Sequence, residues 1–247
     1  MGKRRNSATK VKARKPRRSI GGWVWRLAVW FVAAVLVYQA YLFAGVVWYR
    51  WFNPQETAFM ADERARLSRL EPPRSVEQTW VPYDEISRYA KRAVISAEDT
   101  GFVDHGGIEW QAIERAARAN FESGEIRRGG STITMQVAKN LFLSSDRSYI
   151  RKAQELVIAL MIELVWSKQR ILEVYLNIAE WGVGVFGIEA AAKHYFGVPA
   201  ARLNPRQAAW LASILPSPRR YDQDRGSAWI KRKTNIMLRR MPQVQIP

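Results

Sequence analysis

Residues 129–140 read GGSTITMQVAKN, in which glycines and hydroxyl residues precede an amphipathic run. A serine or threonine here favours a helix start, because its hydroxyl can accept a hydrogen bond from a free N–H of the first turn. Either Ser131 or Thr132 can serve as the N-cap. Thr132, Gln136 and Lys139 recur at spacing i, i+4, i+7 and share one face. The polar stripe therefore faces something other than the core, since the apolar residues share a different face: Ile133, Val137 and Leu141.

The start of this helix also has the composition of an anion site. Arg127 and Arg128 directly precede the glycines, and Lys139 belongs to the same segment. Free N–H groups at a helix N-terminus favour a bound anion, and guanidinium groups match phosphate-type anions. The alternative is a polar face that is simply solvated.

A second segment, EDTGFVDHGG at residues 98–107, offers a candidate general base. Helical apolar spacing from about Glu85 delivers Glu98 to the C-terminal end of a helix. The negative end of the helix dipole and the adjacent Asp99 both oppose ionisation, which raises the pKa of Glu98 toward the range of a useful base. The alternative is an acidic helix end that faces water.

A third segment places cations and a carboxylate at the start of the most apolar helix. Arg147 precedes RKAQE at residues 151–155, in which Arg151 and Glu155 are spaced i, i+4. The helix continues as an almost wholly apolar run to Trp166, so its charged first turn is predicted to line a cleft. A buried carboxylate among cations stays ionised and can orient them. A simple surface ion pair is the alternative.

The remaining pattern predicts an all-α domain. From Tyr83 onward apolar residues recur at helical spacing, whereas alternating strand patterns are nearly absent. KQRILEVYLN at residues 168–177 has its apolar residues at core spacing and is interpreted as scaffold. The domain is expected to end near Tyr221, with a basic helix at Ala228–Arg240 after it.

The N-terminal part of the chain predicts a membrane anchor. Residues 27–49 have Gln39 as their only strongly polar residue and match the roughly 20 residues that span a bilayer as a helix. A cleaved signal peptide is the alternative, but its apolar region would be only about 7–15 residues long. Residues 1–22 carry nine Lys and Arg residues and no acid. The positive-inside rule then predicts a cytoplasmic N-terminus and an exported C-terminal part, and the basic tail suits anionic membrane lipid.

These features divide the chain into a basic tail at 1–22, an anchor at 23–50, a stalk at 51–80 and a catalytic domain at 81–247. The net charge of +17 is concentrated in the tail, since residues 51–247 hold 28 basic and 22 acidic residues. We therefore expect no nucleic-acid partner. The absence of cysteine excludes thiol chemistry, and the two histidines lack the spacing of a zinc site.

The three motifs, the scaffold segment and AAWLASILPSP at residues 208–218 fall in a characteristic order and spacing. In these motifs the chain resembles the monofunctional peptidoglycan glycosyltransferases, over roughly residues 80–220. The resemblance implies a mostly α, lysozyme-like fold in two lobes behind a single transmembrane helix. It implies polymerisation of lipid II into β-1,4-linked glycan strands, with inversion, release of undecaprenyl pyrophosphate and no transpeptidase activity.

The resemblance also implies a location and partners. The protein would lie in the bacterial inner membrane with its catalytic domain in the periplasm. Lipid II and the growing glycan strand would be its substrates, membrane lipid would surround its anchor, and proteins of cell division or elongation are the expected protein partners.

Roles for individual residues follow from the same resemblance. Glu98 would be the base on the acceptor 4-hydroxyl, and Glu155 would be the second essential acid. Lys139, Arg147 and Arg151 would hold the donor pyrophosphate. The other implied substrate-binding positions are Asp99, Phe102, His105, Gly130, Ser131, Thr132, Gln136, Asn140 and Lys152.

Two further expectations concern a metal and a departure from the family pattern. The sequence shows no dedicated metal cage or cofactor site, although a divalent cation such as Mg²⁺ can accompany the pyrophosphate in this family. Met135 stands where the family often has Gln. On a helix it lies about 100° from Gln136 and is predicted to point toward the apolar side.

Three other functions compete with this interpretation. A lytic transglycosylase or lysozyme cleaves the same type of bond, but cleavage needs a protonated acid beside the glycosidic oxygen and no cation cluster. A membrane-tethered scaffold would not require the polar stripe on the helix after residue 132. GVGVFG at residues 182–187 matches a dinucleotide-binding pattern, but the preceding residues have a helical rather than a strand pattern.

Overall fold

The computed structural model describes residues 20–123, 130–143 and 148–247. Predicted features outside these residues are most of the basic tail, Arg127, Arg128 and Arg147. The chain divides into two compact units, Met1–Tyr41 and Leu42–Pro247, which are described separately.

The described part of the first unit is an apolar helix. Helix α1 spans Ile20–Tyr49, and its large apolar side chains before residue 42 are mostly exposed, Trp30 and Phe31 among them. Among the described residues it is the one helix that is long and apolar enough, over Gly22–Tyr49, to cross a membrane. Helix α1 thus fits the predicted single-pass membrane anchor in length and composition.

The second unit begins with the last turns of α1, whose main chain is held by side chains from elsewhere. Val46 is fully buried, and its carbonyl oxygen accepts a 2.7 Å hydrogen bond from the indole of Trp166. Arg170 donates to the carbonyl oxygens of Tyr49 and Phe52 at 2.9 and 3.0 Å. Carbonyl groups at a helix C-terminus have no partner within the helix, so the guanidinium fixes this end of the anchor.

The fold of the second unit is mostly α, as predicted. Its other helices are α2 (Ala58–Leu67), α3 (Arg88–Glu98), α4 (Trp110–Ser123), α5 (Ile133–Phe142), α6 (Tyr149–Val165), α7 (Lys168–Ile178), α8 (Ile188–Phe196), α9 (Pro205–Ile214), α10 (Pro218–Gln223) and α11 (Ala228–Arg240). Helix α5 packs against α6 and α7, while α9 packs against α3 and α11. Their buried apolar faces join in one core.

A small sheet accompanies these helices. Strands β1 (Glu77–Gln78), β2 (Glu180–Gly182) and β3 (Val185–Phe186) have the order β1-β3-β2, with β1 parallel and β2 antiparallel to β3. The prediction that no strand precedes residue 182 is wrong, because strands of two or three residues are too short to give an alternating pattern. Dinucleotide binding remains excluded, since β2 and β3 form a tight hairpin and not a βαβ unit.

The segment predicted as a stalk contributes to the folded unit. Within it, α2 packs against α5 and buries Met60, Glu63 and Leu67, and β1 joins the sheet. The sequence of α2 hides this packing, because one of its buried positions is an acid. Glu63 is held by Arg66 at 2.7 Å and by Arg219 at 2.9 Å, so its charge is compensated inside the fold.

Candidate active site

Glu98 is the last residue of α3 and lies partly exposed where the chain leaves the helix. Burial raises the pKa of Glu98, and the neighbouring Asp99 adds to the rise. A hydrogen bond from Gln136 and the charges of Lys233 and Lys139 act in the opposite direction. The direction of the shift agrees with the prediction, and its largest cause is desolvation of the carboxylate by burial. A carboxylate in this state can accept a proton and still ionise.

Gln136 orients Glu98 and is itself oriented by a buried phenol. Its amide Nε2 donates a 2.8 Å hydrogen bond to Glu98 Oε2. Its amide oxygen accepts a 3.2 Å hydrogen bond from the hydroxyl of Tyr175. Tyr175 is almost fully buried on α7, and burial raises the pKa of its phenol well above the usual value, so the hydroxyl stays a donor. The chain Tyr175–Gln136–Glu98 thus sets which end of the amide faces the carboxylate.

Asp99 and His105 connect the segment after α3 to the start of α5. Asp99 Oδ2 accepts a 3.0 Å hydrogen bond from the main-chain N–H of Ile133, one of the free donors of the first helical turn. Asp99 Oδ1 lies 2.8 Å from His105 Nε2, and the Gly107 N–H donates to His105 Nδ1 at 3.1 Å. Nδ1 is therefore the acceptor, and the ring proton lies on Nε2. These contacts fix the position of Glu98 relative to Gln136.

A partly buried ion pair, Lys168 with Glu163, also holds this loop. Lys168 Nζ donates to the carbonyl oxygen of His105 at 2.6 Å and to Glu163 at 2.8 Å, and it lies 4.7 Å from the ring centre of Phe102.

Thr132 caps α5 by accepting from the Met135 N–H at 3.2 Å. Of the two predicted N-cap candidates, Thr132 fills the role.

The apolar side of α5 is packed as predicted. Ile133, Met135 and Val137 are fully buried. Met135 thus faces the core, one residue before the amide that contacts Glu98. Gly130, just before the helix, touches α4 closely: a Cβ there would lie 2.8 Å from the Cα of Ile113. Phe102 is also fully buried. Phe102 and Gly130, both predicted to bind substrate, therefore occupy packing positions in this structure.

A second cluster surrounds Glu155 on the first turns of α6. Its side chain is 3% exposed, which makes the pair with Arg151 a buried one. Glu155 Oε2 accepts from Arg151 at 2.8 Å, and Oε1 accepts from Lys152 at 2.6 Å. Lys152 also donates to the Ser131 hydroxyl at 2.9 Å. Glu155 is thus buried among cations, as predicted, and holds two of them beside the start of α5.

Lys139 lies between the two clusters. Burial lowers the pKa of Lys139, and the charges of Glu155 and Glu180 oppose this effect. Its ammonium lies 5.0 Å from the ring centre of Phe59 on α2. Lys139, Asn140, Gln136 and Tyr175 line a common cavity of about 220 Å³. Gln136, which contacts Glu98, and Lys139, which is affected by the charge of Glu155, therefore line the same cavity.

One group of side chains in the described part of the chain has the spacing of metal ligands. The ligand atoms of Asp99, His105 and Glu109 lie within 4.8 Å of one another. Both carboxylate oxygens of Asp99 and both ring nitrogens of His105 already take part in hydrogen bonds. A metal ion here would have to replace the contacts that fix α5, so these residues do not fit a resident metal.

Two residues of the site were not found from the sequence. Tyr175 stands among core positions of α7 and was interpreted as scaffold, although a buried tyrosine usually needs a partner for its hydroxyl and so hints at a polar contact. Lys233 belongs to the predicted basic helix and acts electrostatically on Glu98. No local pattern marks it, because α11 meets α3 only through tertiary packing.

Comparison with known proteins gives consistent results. The sequence profile of the family described as Transglycosylase matches residues 63–242. A protein of Dechloromonas aromatica is 49% identical over 228 residues, which cover 92% of this chain and 99% of the relative. A protein of Bordetella avium is 52% identical, with coverage of 86% and 90%, and one of Nitrosospira multiformis is 46% identical, with coverage of 91% and 98%. All three bear the name biosynthetic peptidoglycan transglycosylase.

Proposed function

The chain belongs to the transglycosylase family, and from this premise we propose that its active site joins lipid II units into β-1,4-linked glycan strands with Glu98 as the general base. The observation that carries the proposal is the hydrogen bond from Gln136 to Glu98, one helical turn from the cation Lys139. Glycosyl transfer from a pyrophosphate needs both a proton acceptor for the attacking hydroxyl and positive charge for the leaving group.

The proposed reaction is a single displacement. The ionised carboxylate of Glu98 takes the proton of the acceptor 4-hydroxyl as the oxygen attacks C1 of the donor sugar. The bond between C1 and the pyrophosphate oxygen breaks, and undecaprenyl pyrophosphate leaves with the bonding electrons. An α-linked donor gives a β-linked product by this route, because attack occurs on the face opposite to the leaving group.

The leaving group would be received by the cluster around Glu155. Arg151 and Lys152 are both fixed by that buried carboxylate, and Lys139 lies close enough to feel its charge. Fixed cations stabilise a developing anion without reorganisation at the moment of reaction. Arg147 is proposed to join them on the basis of its motif alone. A divalent cation such as Mg²⁺ would arrive with the pyrophosphate, since Asp99 and His105 are committed to other contacts.

The position of Glu155 favours synthesis over cleavage. A lytic enzyme needs a protonated acid next to the glycosidic oxygen. Glu155 instead accepts hydrogen bonds from two cations, which suits an ionised carboxylate. Glu98 is the other candidate acid, but the hydrogen bond that its carboxylate accepts from Gln136 suits the ionised form that a base requires.

Purified full-length protein incubated with labelled lipid II tests the proposal. We expect a polymer that a muramidase degrades to disaccharide units. If the protein cleaves added glycan and forms no polymer, it belongs with the lytic enzymes. If it binds lipid II but neither polymerises nor cleaves, a scaffold function is favoured. The isolated Glu98→Gln protein serves as the background control in each reaction.

The orientation of the anchor is part of the proposal. The basic tail predicts a cytoplasmic N-terminus and a periplasmic catalytic unit. Protease added to intact spheroplasts should digest the part of the chain after residue 50 and spare the tail. A catalytic unit protected from the protease would contradict both the orientation and the role in wall synthesis.

A further inference from the structure

The cavity beside Lys139 is bounded by three elements that are distant from one another in the chain. Phe59 comes from α2, Glu180 from β2 and Pro218 from the start of α10. All three line the same cavity of about 220 Å³ as Lys139. The ring centre of Phe59 lies 5.0 Å from the ammonium of Lys139. The side chain that covers this cation therefore belongs to α2, the short helix that follows the membrane anchor.

One arginine joins these three elements. Arg219 lies on α10, and its guanidinium donates to both carboxylate oxygens of Glu180, from Nε to Oε1 at 2.6 Å and from Nη2 to Oε2 at 3.3 Å. Nη2 also lies 2.9 Å from Oε2 of Glu63 on α2. A single side chain thus holds α2, β2 and α10 together at the edge of the cavity.

The two acids that Arg219 contacts are shielded from water. The side chain of Arg219 is 46% exposed, whereas that of Glu63 is 1% and that of Glu180 18% exposed. An exposed ion pair contributes little, but a buried carboxylate that loses its cation is costly. Glu63 would keep Arg66 as a second partner. Among the described residues, Glu180 contacts no cation other than Arg219.

The contact with Glu63 also affects the position of Phe59. The two residues are four apart on α2 and therefore lie on the same face, about one helical turn from each other. Helix α2 packs on α5, the helix that carries Lys139. Because a helical turn is rigid, a contact that fixes Glu63 also fixes the ring of Phe59 over the ammonium of Lys139.

The cover over Lys139 has a consequence for the chemistry. Burial lowers the pKa of Lys139, so the ammonium has lost part of its water. A cation in such surroundings attracts an anion more strongly than a hydrated one, because the local dielectric constant is lower. If α2 moved outward, water would reach Lys139 and weaken its attraction for the leaving pyrophosphate.

We propose that Arg219 is a positioning residue of the active site, which holds α2 against β2 and α10 and thereby keeps Phe59 over Lys139. The inference rests on the proposed function. It adds a residue that acts through the cavity wall and not through contact with the substrate.

The kinetics of lipid II polymerisation test this role. Arg219→Gln removes the charge that holds the two acids, and kcat/KM should fall about fivefold to twentyfold, within the range found for residues of one ion-pair network. Each variant is assayed well below its own unfolding temperature, so that a smaller folded fraction does not count as a lower rate. Glu63→Gln should lower kcat/KM in the same direction and is the second variant if Arg219→Gln folds poorly.

Matched controls lie next to each partner. Arg220 is the exposed neighbour on α10, and Arg220→Gln should leave kcat/KM unchanged. Arg66 contacts the same Glu63 but lies on α2 itself, so it cannot hold α2 to another element. Arg66→Gln should therefore lower kcat/KM by no more than about twofold, as expected for a pair within one helix.

A double-variant comparison tests whether Arg219 acts through Phe59. Phe59→Ala removes the cover over Lys139 and should itself lower kcat/KM. In this background Arg219→Gln should cause no further loss beyond about twofold, because there is no ring left to position. A residue that only stabilised the fold would instead add its own loss to that of Phe59→Ala.

A spin label on α2 gives a readout that does not depend on activity. The chain has no cysteine, so Ala61→Cys provides a single attachment site at an exposed position of α2. The label should become more mobile when Arg219→Gln is added and should be unchanged with Arg220→Gln.

Three results would overturn the positioning role. Equal label mobility with and without Arg219→Gln would show that Arg219 does not hold α2. Full, independent losses in the Phe59→Ala, Arg219→Gln double variant would show that Arg219 does not act through the ring. Equal losses for Arg66→Gln and Arg219→Gln would assign the effect to the charge of Glu63 alone. A parental protein that forms no polymer would refute the proposed function, and with it the role in catalysis, even if the label shows that Arg219 holds α2.

Discussion

The side-chain amide of Gln136 lies 2.8 Å from Glu98 and donates to one carboxylate oxygen, Oε2. Among the described residues, the other oxygen of this carboxylate has no hydrogen-bond donor and is available to a substrate hydroxyl. The amide cannot rotate freely, because its oxygen accepts from Tyr175. One hydrogen-bonded chain thus connects a core helix to the proposed base.

Removal of the tyrosine hydroxyl tests this chain. Tyr175→Phe keeps the packing of α7 and frees the amide of Gln136 to turn its oxygen toward Glu98. A neutral hydrogen bond contributes about 0.5–1.5 kcal/mol, so we expect kcat to fall about two- to tenfold. Tyr83→Phe is the control, since the Tyr83 hydroxyl contacts the carbonyl oxygen of Pro247. Equal activity of Tyr175→Phe and the parental protein would show that the amide needs no such support.

The pH dependence of the reaction should respond to Gln136. Its hydrogen bond lowers the pKa of Glu98 against the rise caused by burial. Gln136→Met removes that bond, so the pKa of Glu98 should rise further. Because the base works only when ionised, activity should be lost at a higher pH as the solution is acidified. The measurement is kcat/KM against pH, with Gln111→Met on the exposed side of α4 as control. An unchanged or downward-shifted acidic limb would contradict the assignment.

Sequence patterns located the two polar helix ends but not the contacts that join them. The stripe of Thr132, Gln136 and Lys139 follows from helical periodicity. In the structure Gln136 and Lys139 line one cavity, whereas Thr132 is a buried N-cap whose hydroxyl donates to the Gly107 carbonyl oxygen. Glu155 among cations was likewise visible, because its spacing to Arg151 is local. Periodicity also placed Met135 on the core side.

Long-range contacts were beyond such patterns. Tyr175 meets Gln136 across 39 positions in the chain. Lys233 reaches Glu98 only through the packing of α11 on α3. Helix α2 was interpreted as part of a stalk because its sequence is rich in charged residues. One of these, Glu63, is nevertheless buried, and Arg219 on α10 compensates its charge. Compensation of a buried charge by a distant residue leaves no mark in local spacing.

Loss of the cation at position 139 should weaken leaving-group stabilisation. Lys139→Gln removes a charge-assisted contact of about 1.5–3 kcal/mol, which corresponds to a fall in kcat/KM of about 10- to 150-fold. Lys193→Gln is the matched control, because Lys193 is an exposed partner of Glu189 on α8. Rates of polymerisation with lipid II give the comparison. A parental rate for Lys139→Gln would place the pyrophosphate elsewhere.

The glycine before α5 should matter for stability and not for chemistry. A Cβ at Gly130 would lie 2.8 Å from the backbone of Ile113, whereas a Cβ at Gly106 would meet nothing within 4 Å. Gly130→Ala should lower the free energy of unfolding by about 1–3 kcal/mol, because main-chain atoms must move. Gly106→Ala should be close to neutral. Denaturant unfolding in detergent compares the two, and equal stabilities would show that α4 moves aside without cost.

The central claim is that Glu98 takes the proton of the acceptor hydroxyl. Glu98→Gln keeps the shape of the side chain and removes its ability to accept that proton. Asp104→Asn is the matched control, since Asp104 is an exposed acid of the same loop. Asp99 is unsuitable as a control because both of its oxygens hold other parts of the site.

The decisive measurement is the rate of lipid II polymerisation by Glu98→Gln, together with lipid II binding by the same protein. The account predicts a rate lower by about 10²–10⁴-fold with binding within a few fold of the parental protein, and a near-parental rate for Asp104→Asn. A near-parental rate for Glu98→Gln, with activity abolished in Glu155→Gln, would contradict the account and place the acceptor hydroxyl at the other carboxylate.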